Sequence, residues 1–78
     1  MRIVFDKNVP VGVRRFLFQH EVRTSVEMQW HPQLDNGELL EAAEAAGFDV
    51  MITSDRNIGH QQNLTGRKLA LLVLGSNI

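Results

Sequence analysis

The sequence predicts an α/β domain built on a mostly parallel sheet of four strands, with helices covering two sides of it. The first observation is that short apolar segments alternate with segments of helical pattern in the order β-α-β-α-β-(α)-β. The second is that the first and last strands, Ile3–Phe5 and Leu69–Leu74, are apolar on both faces, which is typical of a parallel sheet. Because the chain has 78 residues, we expect a single domain over 1–78.

The first strand leads directly into the first predicted helix. The apolar run Ile3–Phe5 stops at Asp6, and Pro10 then marks the start of a helix, because proline fits a first helical turn. On an α-helical period, this helix has one apolar face made of Val9, Val13, Phe16 and Leu17. Its two arginines, Arg14 and Arg15, then point outward.

The second helix has the best-specified start in the chain. Asp35 is predicted to be its N-cap and Glu38 its N3 residue, which together form a capping box. Leu34 and Leu39 flank this start as a hydrophobic staple, and Gly47 ends the helix. The residues predicted to be buried are Leu39, Ala43 and Ala46, and those predicted to face water are Glu41 and Glu44.

Three further strands follow from the apolar pattern. They are predicted over 21–26, 49–53 and 69–74. In the first of them, Val22, Thr24 and Val26 share one face. A polar turn over 54–57 and a short helical turn over 58–64 are predicted after the next one. The chain stops directly after the last strand, so we expect a covering element to be either missing or supplied by a partner.

Charge and composition narrow the classes of function. With 8 Lys and Arg against 9 Asp and Glu, the net charge is −1, which argues against nucleic-acid binding through bulk positive potential. Any RNA contact is then local, at Arg14, Arg15, Arg56, Arg67 or Lys68. The early acid argues against a signal peptide, and no apolar run is long enough to span a bilayer, so we expect a cytoplasmic protein without membrane contact. A domain this small without cysteine is marginal as a monomer, so a homo-oligomer is expected.

Several acidic residues are expected at one edge of the sheet. In open parallel sheets, binding sites form beyond the carboxyl ends of the strands. Asp6 follows the first strand and Asp55 the third, while Asp35 and Glu38 begin the helix that starts at the same edge. Carboxylates held close together need a proton or a cation between them, and an all-oxygen site suits Mg²⁺ or Mn²⁺. The sequence therefore predicts a divalent-cation site.

Each of these acids also has a purely structural interpretation. Asp6 taken alone more often accepts hydrogen bonds within a turn, and Asp55 can equally cap the segment that follows it. For Asp35 and Glu38, the capping box is the stronger interpretation. The histidines lack the spacing of zinc ligands, and the serines lack a positioned base, so neither zinc binding nor nucleophilic catalysis is indicated.

Four segments carry motifs that occur together in a known family. They are I-V-F-D-K-N-V-P at 3–10, D-N-G-E-L-L-E-A-A at 35–43, D-V-M-I-T-S-D-R-N at 49–57 and Q-Q-N-L at 61–64. In this order the chain resembles the small bacterial PIN-like proteins related to VapC-type toxins, with their D-E-N-L-P, N-G-E-L-L and T-x-D-x-N segments. The four segments together extend over most of the chain.

The resemblance implies both a fold and a chemistry. The fold is a three-layer α/β/α sandwich, and the chemistry is metal-dependent hydrolysis of RNA phosphodiesters, often by the toxin of a toxin–antitoxin pair. The catalytic and metal-binding residues that it implies are Asp6, Glu38 and Asp55, with Asp35 as a nearby alternative ligand. The supporting residues are Thr53, Asn57 and Asn8, and the RNA-binding residues are Lys7, Arg14 and Arg56.

Lys7 stands where the family pattern has Glu, and it keeps a second hypothesis open. The leading hypothesis is a ribonuclease that depends on Mg²⁺ or Mn²⁺, with RNA as its substrate and an antitoxin protein as its partner. The second is a catalytically inactive PIN-like domain for protein interaction or dimerisation. A receiver-type phosphoacceptor domain ranks third, because that fold needs a fifth strand that ends in Lys.

Overall fold

The computed structural model describes residues 1–31, 33–55, 58 and 66–74. The elements in these ranges are β1 (Arg2–Phe5), the 3₁₀-helix η1 (Val11–Leu17), β2 (Glu21–Thr24), α1 (Asn36–Ala45), β3 (Val50–Thr53) and β4 (Ala70–Val73). Within these ranges, no helix is both long enough and apolar enough to cross a membrane.

The four strands form one parallel sheet in the order β2-β1-β3-β4. The α/β class with a parallel sheet is what the sequence predicted. β1 lies in the middle, with Val4 opposite Arg23 of β2 on one side and Met51 of β3 on the other. The chain runs outward from β1 to β2, then crosses back to β3 and continues outward to β4. The strand order therefore reverses between β1 and β3, and the carboxyl ends of these two strands flank the crevice where such sheets bind ligands.

Hydrophobic clusters lie on both faces of the sheet. One cluster packs Leu40 of α1 against Val4 and Met51. The other contains Phe5, and the half-buried Leu17 of η1 packs against it. Because neighbouring residues of a strand point to opposite faces, Val4 and Phe5 place α1 and η1 on opposite sides of the sheet.

The segment predicted as the first α-helix is instead a 3₁₀-helix, and its predicted apolar face was wrong at Phe16. Val9 is buried, but Phe16 is 72% exposed. A 3₁₀-helix has about three residues per turn, so residues that share a face on an α-helical period spread around its axis. Arg14, predicted to point outward, is half-buried and donates from Nη2 to the Val22 carbonyl at 2.7 Å.

The second strand is shorter than predicted because its chain turns at Thr24. The Thr24 N–H donates to Glu27 Oε1 at 2.9 Å, and the Glu27 N–H donates to Thr24 Oγ1 at 3.0 Å. Val26 lies within this turn and is 77% exposed. The prediction that Val26 shares a strand face with Val22 was therefore wrong.

The start of α1 is confirmed in atomic detail. The Glu38 N–H donates to Asp35 Oδ1 at 2.8 Å, and the Asp35 N–H reaches Glu38 Oε1 at 3.5 Å, so both halves of the capping box are present. Gly47 follows the helix with φ of +84°, a left-handed conformation that glycine adopts without steric cost. The residues of α1 that the structure buries are Leu39, Leu40 and Ala43. The predicted stripe omitted Leu40 and included Ala46, which is half-buried.

Strand β4 lies at an edge of the sheet and is less buried than its sequence predicted. Leu72 is 51% exposed and Val73 also stays exposed, because β4 pairs with β3 on one side. The helical turn predicted over 58–64 lies outside the described residues apart from Ile58, which is fully buried in the cluster that contains Leu40.

Glu44, which was predicted to face water, holds the start of β4 against α1. Its carboxylate accepts hydrogen bonds from the Lys68 N–H at 2.7 Å, the Leu69 N–H at 3.4 Å and Arg67 Nη1 at 3.2 Å. The Lys68 amide is the largest cause that lowers the pKa of Glu44, and the Leu69 amide and Arg67 act in the same direction. The carboxylate of Glu44 is therefore engaged with residues distant in the sequence, and does not simply face water as the helical pattern predicted.

We predict that acid weakens this attachment. Because the folded-state pKa of Glu44 is lowered, its contribution is present above the ordinary glutamate value of about 4.3 and is lost as the pH falls through the folded-state pKa. Between about pH 6 and about pH 3, the free energy of urea unfolding should therefore fall less steeply in Glu44→Gln than in the wild type. Glu41→Gln, an exposed change on the same helix, should follow the wild type. Equal pH dependence in Glu44→Gln and the wild type would contradict this role.

Candidate functional site

A pocket of 440 Å³ lies at the carboxyl ends of β1 and β3, where the strand order reverses. Its wall combines polar side chains that follow the two strands with apolar side chains from α1 and the loop before it. The lining residues that matter for the chemistry are Asp6, Lys7, Asn8, Asp55, Trp30 and Leu39.

Asp6 is the acid held most firmly in this pocket. Asp6 is buried, with only 7% of the residue exposed. Oδ1 accepts the Lys7 N–H at 2.7 Å, and Oδ2 accepts the Thr53 hydroxyl at 2.8 Å. An ionised carboxylate offers about four acceptor positions, so both oxygens keep capacity for a further partner. Asp6 thus stabilises the turn after β1 and also presents its carboxylate to the pocket.

Thr53, at the end of β3, connects the two acids that line the pocket. It is fully buried, and its Oγ1 both donates to Asp6 Oδ2 and accepts the Asp55 N–H at 3.1 Å. This hydroxyl therefore contacts both residues, and the supporting role that the resemblance implies for Thr53 stays a prediction. It links the carboxyl end of β1 to the chain that leaves β3.

Asp55 forms the second acidic side of the pocket. It is half-buried, and Asn36 Nδ2 lies 3.4 Å from its Oδ2 in a weak hydrogen bond. Asn36 is the first residue of α1, so the positive end of that helix lies beside the acid. Nearby, the Ser54 hydroxyl donates to the Asn8 carbonyl at 2.8 Å and holds the turn after β1 against the end of β3.

The structure does not bring Asp35 and Glu38 to this pocket. Both are exposed, neither lines the pocket, and each carboxylate accepts the backbone N–H of the other residue. The capping box, which was the stronger interpretation from sequence, describes their geometry. The site therefore gathers Asp6 and Asp55 but not the two acids at the start of α1.

Among the described residues, no group of three or more His, Cys, Asp or Glu is arranged to hold a metal ion. What the pocket offers is two carboxylates, the side chains of two asparagines, and the imidazole of His31, whose Nδ1 accepts the Gln33 N–H at 3.1 Å. Mg²⁺ is commonly held by one or two carboxylates while waters and substrate phosphates complete its coordination. The donor set fits a hard cation shared with a substrate, and it does not form a complete cage from these residues.

The predicted RNA-binding residues lie in different places. Lys7 is exposed and lines the pocket. Arg14 lies away from it, against β2, where Nη2 is 2.9 Å from Glu27 Oε1. Arg56 and the supporting residue Asn57 lie outside the described residues.

Seven of the lining residues were not assigned to the site from sequence, and Trp30 and Asn36 are two of them. Trp30 borders the pocket and packs edge-on against Phe48, with ring centroids 6.1 Å apart. Asn36 reaches Asp55 from the first position of α1. The signal for Asn36 was available, because a polar residue directly after an N-cap lies at the same sheet edge as the acids. No comparable sequence signal placed Trp30 there.

Comparison of this chain with protein-family models, curated proteins and solved structures finds no significant match. The resemblance of its motifs to PIN-like proteins therefore stays a prediction. What the site can do is argued from its own geometry.

We predict that the Thr53 hydroxyl, and not the shape of the side chain, holds the pocket together. Thr53→Val keeps the branched shape but leaves Asp6 Oδ2 and the Asp55 N–H without this partner, so the free energy of unfolding should fall by about 1–3 kcal/mol. Thr53→Ser keeps the hydroxyl and serves as the matched control. Urea unfolding at neutral pH measures both variants. A Thr53→Val protein as stable as the wild type, with Thr53→Ser less stable, would reverse this assignment.

Proposed function

We propose that this chain is a PIN-like, metal-dependent ribonuclease that hydrolyses RNA phosphodiesters with Mg²⁺ or Mn²⁺. The observation that carries the proposal is the linked set Asp6–Thr53–Asp55, which lines one pocket at the strand-order reversal. The parallel sheet, with α1 and η1 on opposite faces, supports the three-layer PIN-like arrangement as part of the same proposal.

The residues of the pocket have distinct roles under this proposal. A divalent cation bound at the carboxylates supplies positive charge to the phosphate and lowers the pKa of a water. Asp6 is kept in place by the Thr53 hydroxyl and the Lys7 amide, so its charge stays directed into the pocket. Asp55 provides the second carboxylate, and Asn36 orients it. The exposed Lys7 ammonium provides a cation at the pocket wall for a phosphate oxygen.

We predict that Asp55→Asn removes both metal binding and cleavage. The change keeps the size of the side chain but removes one of two anionic ligands, so Mn²⁺ affinity should fall by more than about tenfold. Isothermal titration calorimetry measures Mn²⁺ binding, and cleavage of mixed-sequence RNA with and without EDTA measures activity. Glu41→Gln removes an exposed acid on α1 and should behave as the wild type. Equal cleavage by the wild type and Asp55→Asn would remove the proposed site.

Measurements of stability and of metal binding distinguish the acids at the start of α1 from the acids of the pocket. We predict that Asp35→Ala lowers the free energy of unfolding by about 1 kcal/mol through loss of the cap, with Mn²⁺ affinity unchanged. Glu38→Gln should likewise leave Mn²⁺ affinity unchanged. A tenfold loss of affinity in Glu38→Gln would instead show that this carboxylate turns into the pocket, as the resemblance implies.

A second candidate function is a PIN-like interaction domain that lacks catalysis. It is favoured by the finding that, within the described ranges, no group of three His, Cys, Asp or Glu is arranged to hold a metal, and by Lys7 next to Asp6. This candidate predicts no heat of Mn²⁺ binding to the wild type and a stable complex with a second copy or with a partner protein. Analytical ultracentrifugation, together with the same calorimetric titration, decides between the two candidates.

Under the first candidate function, a ribonuclease that acts as a toxin, the chain would also bind an antitoxin protein.

A further inference from the structure

A second pocket, of 570 Å³, lies between η1 and β2, on the outer side of the sheet edge. We name it the basic groove, after four of its lining residues: Arg14, Arg15, His20 and Arg23. Glu21 also lines it, but this acid forms an ion pair with Arg2 at 3.1 Å. In a chain with a net charge of −1, positive charge is therefore concentrated at one place.

The arginines of the basic groove have different surroundings. Arg14 is half-buried and is engaged with the Val22 carbonyl and with Glu27, so it closes the outer edge of β2. Arg15 and Arg23 are exposed. Arg23 donates from Nη1 to the Val22 carbonyl at 3.2 Å, and a guanidinium has five N–H donors, so most of its donors stay available to a ligand. Two exposed guanidinium groups thus face solvent at this groove.

Exposed aromatic rings accompany these charges. Phe18 lines the basic groove and is 80% exposed, and Phe16 beside it is 72% exposed. The Arg15 guanidinium carbon lies 5.3 Å from the centre of the Phe16 ring, a cation–π arrangement. Proteins that bind single-stranded nucleic acids combine a basic groove with aromatic rings on which bases stack. An acidic peptide would use the arginines but would gain no comparable stacking from these rings.

The basic groove also leads toward the acidic pocket. Arg23 lines the groove, and Ser25, two residues further along the chain, lines the pocket. Because an extended residue spans about 3.3 Å and the chain turns at Thr24, the Cα atoms of Arg23 and Ser25 lie at most roughly 7 Å apart. A nucleic-acid strand with its phosphates at Arg15 and Arg23 can therefore continue past the end of β2 to the pocket.

We propose that the basic groove binds the sugar–phosphate backbone of a single-stranded nucleic acid and guides the strand to the acidic pocket. Arg15 and Arg23 contact phosphates, and Phe18 provides a stacking surface for a base. The identity of the ligand as RNA rests on the proposed function, whereas binding in the groove does not require cleavage.

Fluorescence anisotropy with a labelled single-stranded RNA in EDTA tests this proposal without cleavage. Arg15→Ala and Arg23→Ala should each weaken binding several-fold, and each should reduce the slope of log affinity against log salt by about 0.7. Phe18→Ala should weaken binding at least about fivefold with the slope unchanged. The matched control is Lys68→Ala: the sequence allowed an RNA contact at Lys68, but this exposed residue lies before β4 and lines neither the groove nor the pocket, so its change should alter neither quantity. If neither arginine variant binds more weakly than Lys68→Ala, or if a glutamate-rich peptide binds and RNA does not, the proposal is overturned.

Cleavage assays separate failure of the basic groove from failure of the nuclease. A wild type that binds RNA through Arg15 and Arg23 but does not cleave it with Mn²⁺ supports the groove and rejects the nuclease. If Arg15→Ala and Arg23→Ala cleave subsaturating RNA as fast as the wild type does, the proposal for the groove is overturned and the nuclease proposal stands. Glu41→Gln, an exposed change on α1 that lines neither the pocket nor the groove, should bind and cleave RNA as the wild type does.

Discussion

The Thr53 hydroxyl lies where the two central strands end, shielded from water, and it makes a hydrogen bond to each side. It donates to the Asp6 carboxylate after β1 and accepts the N–H of Asp55 after β3. A buried polar group that loses its partner costs more than the bond itself contributes, so these positions are strongly coupled. Because the strand order reverses between the same two strands, which pair directly, this hydroxyl links the residues that follow them on the two sides of the crevice.

The two edge strands of the sheet carry different side chains, and this difference explains why positive charge lies at the β2 edge. At the β2 edge, Arg14 and Arg23 bind the Val22 carbonyl, and Glu27 accepts the Thr24 N–H. Side chains that occupy outward-facing backbone groups prevent another strand from pairing there. The β4 edge instead carries exposed apolar side chains. The arginines that protect one edge also bring positive charge to the surface, so edge protection and the basic groove arise from the same residues.

Local signals predicted much of this fold, and contacts distant in sequence account for most of the errors. The capping box of α1 involves residues three positions apart, so it could be read directly. The turn that ends β2 has the same kind of signal, a Thr followed three residues later by Glu, but the alternating apolar pattern predicted a strand through it. Glu44 could not be assigned from helical periodicity, because its partners lie 23–25 residues further along the chain. Its position on α1 gives no indication of where β4 begins.

The number of carboxylates in the pocket has a consequence for how the proposed metal would bind. Asp35 and Glu38 satisfy backbone N–H groups at the start of α1, so recruiting either to the pocket would cost the helix its cap. Two carboxylates, Asp6 and Asp55, would then balance the charge of one divalent cation, and water or a phosphate would complete its coordination. Metal and substrate would therefore bind cooperatively, since each supplies what the other lacks. Under the same proposal, a cation beside the pocket, such as Lys7, would favour the ternary complex with a phosphate over the binary complex with metal.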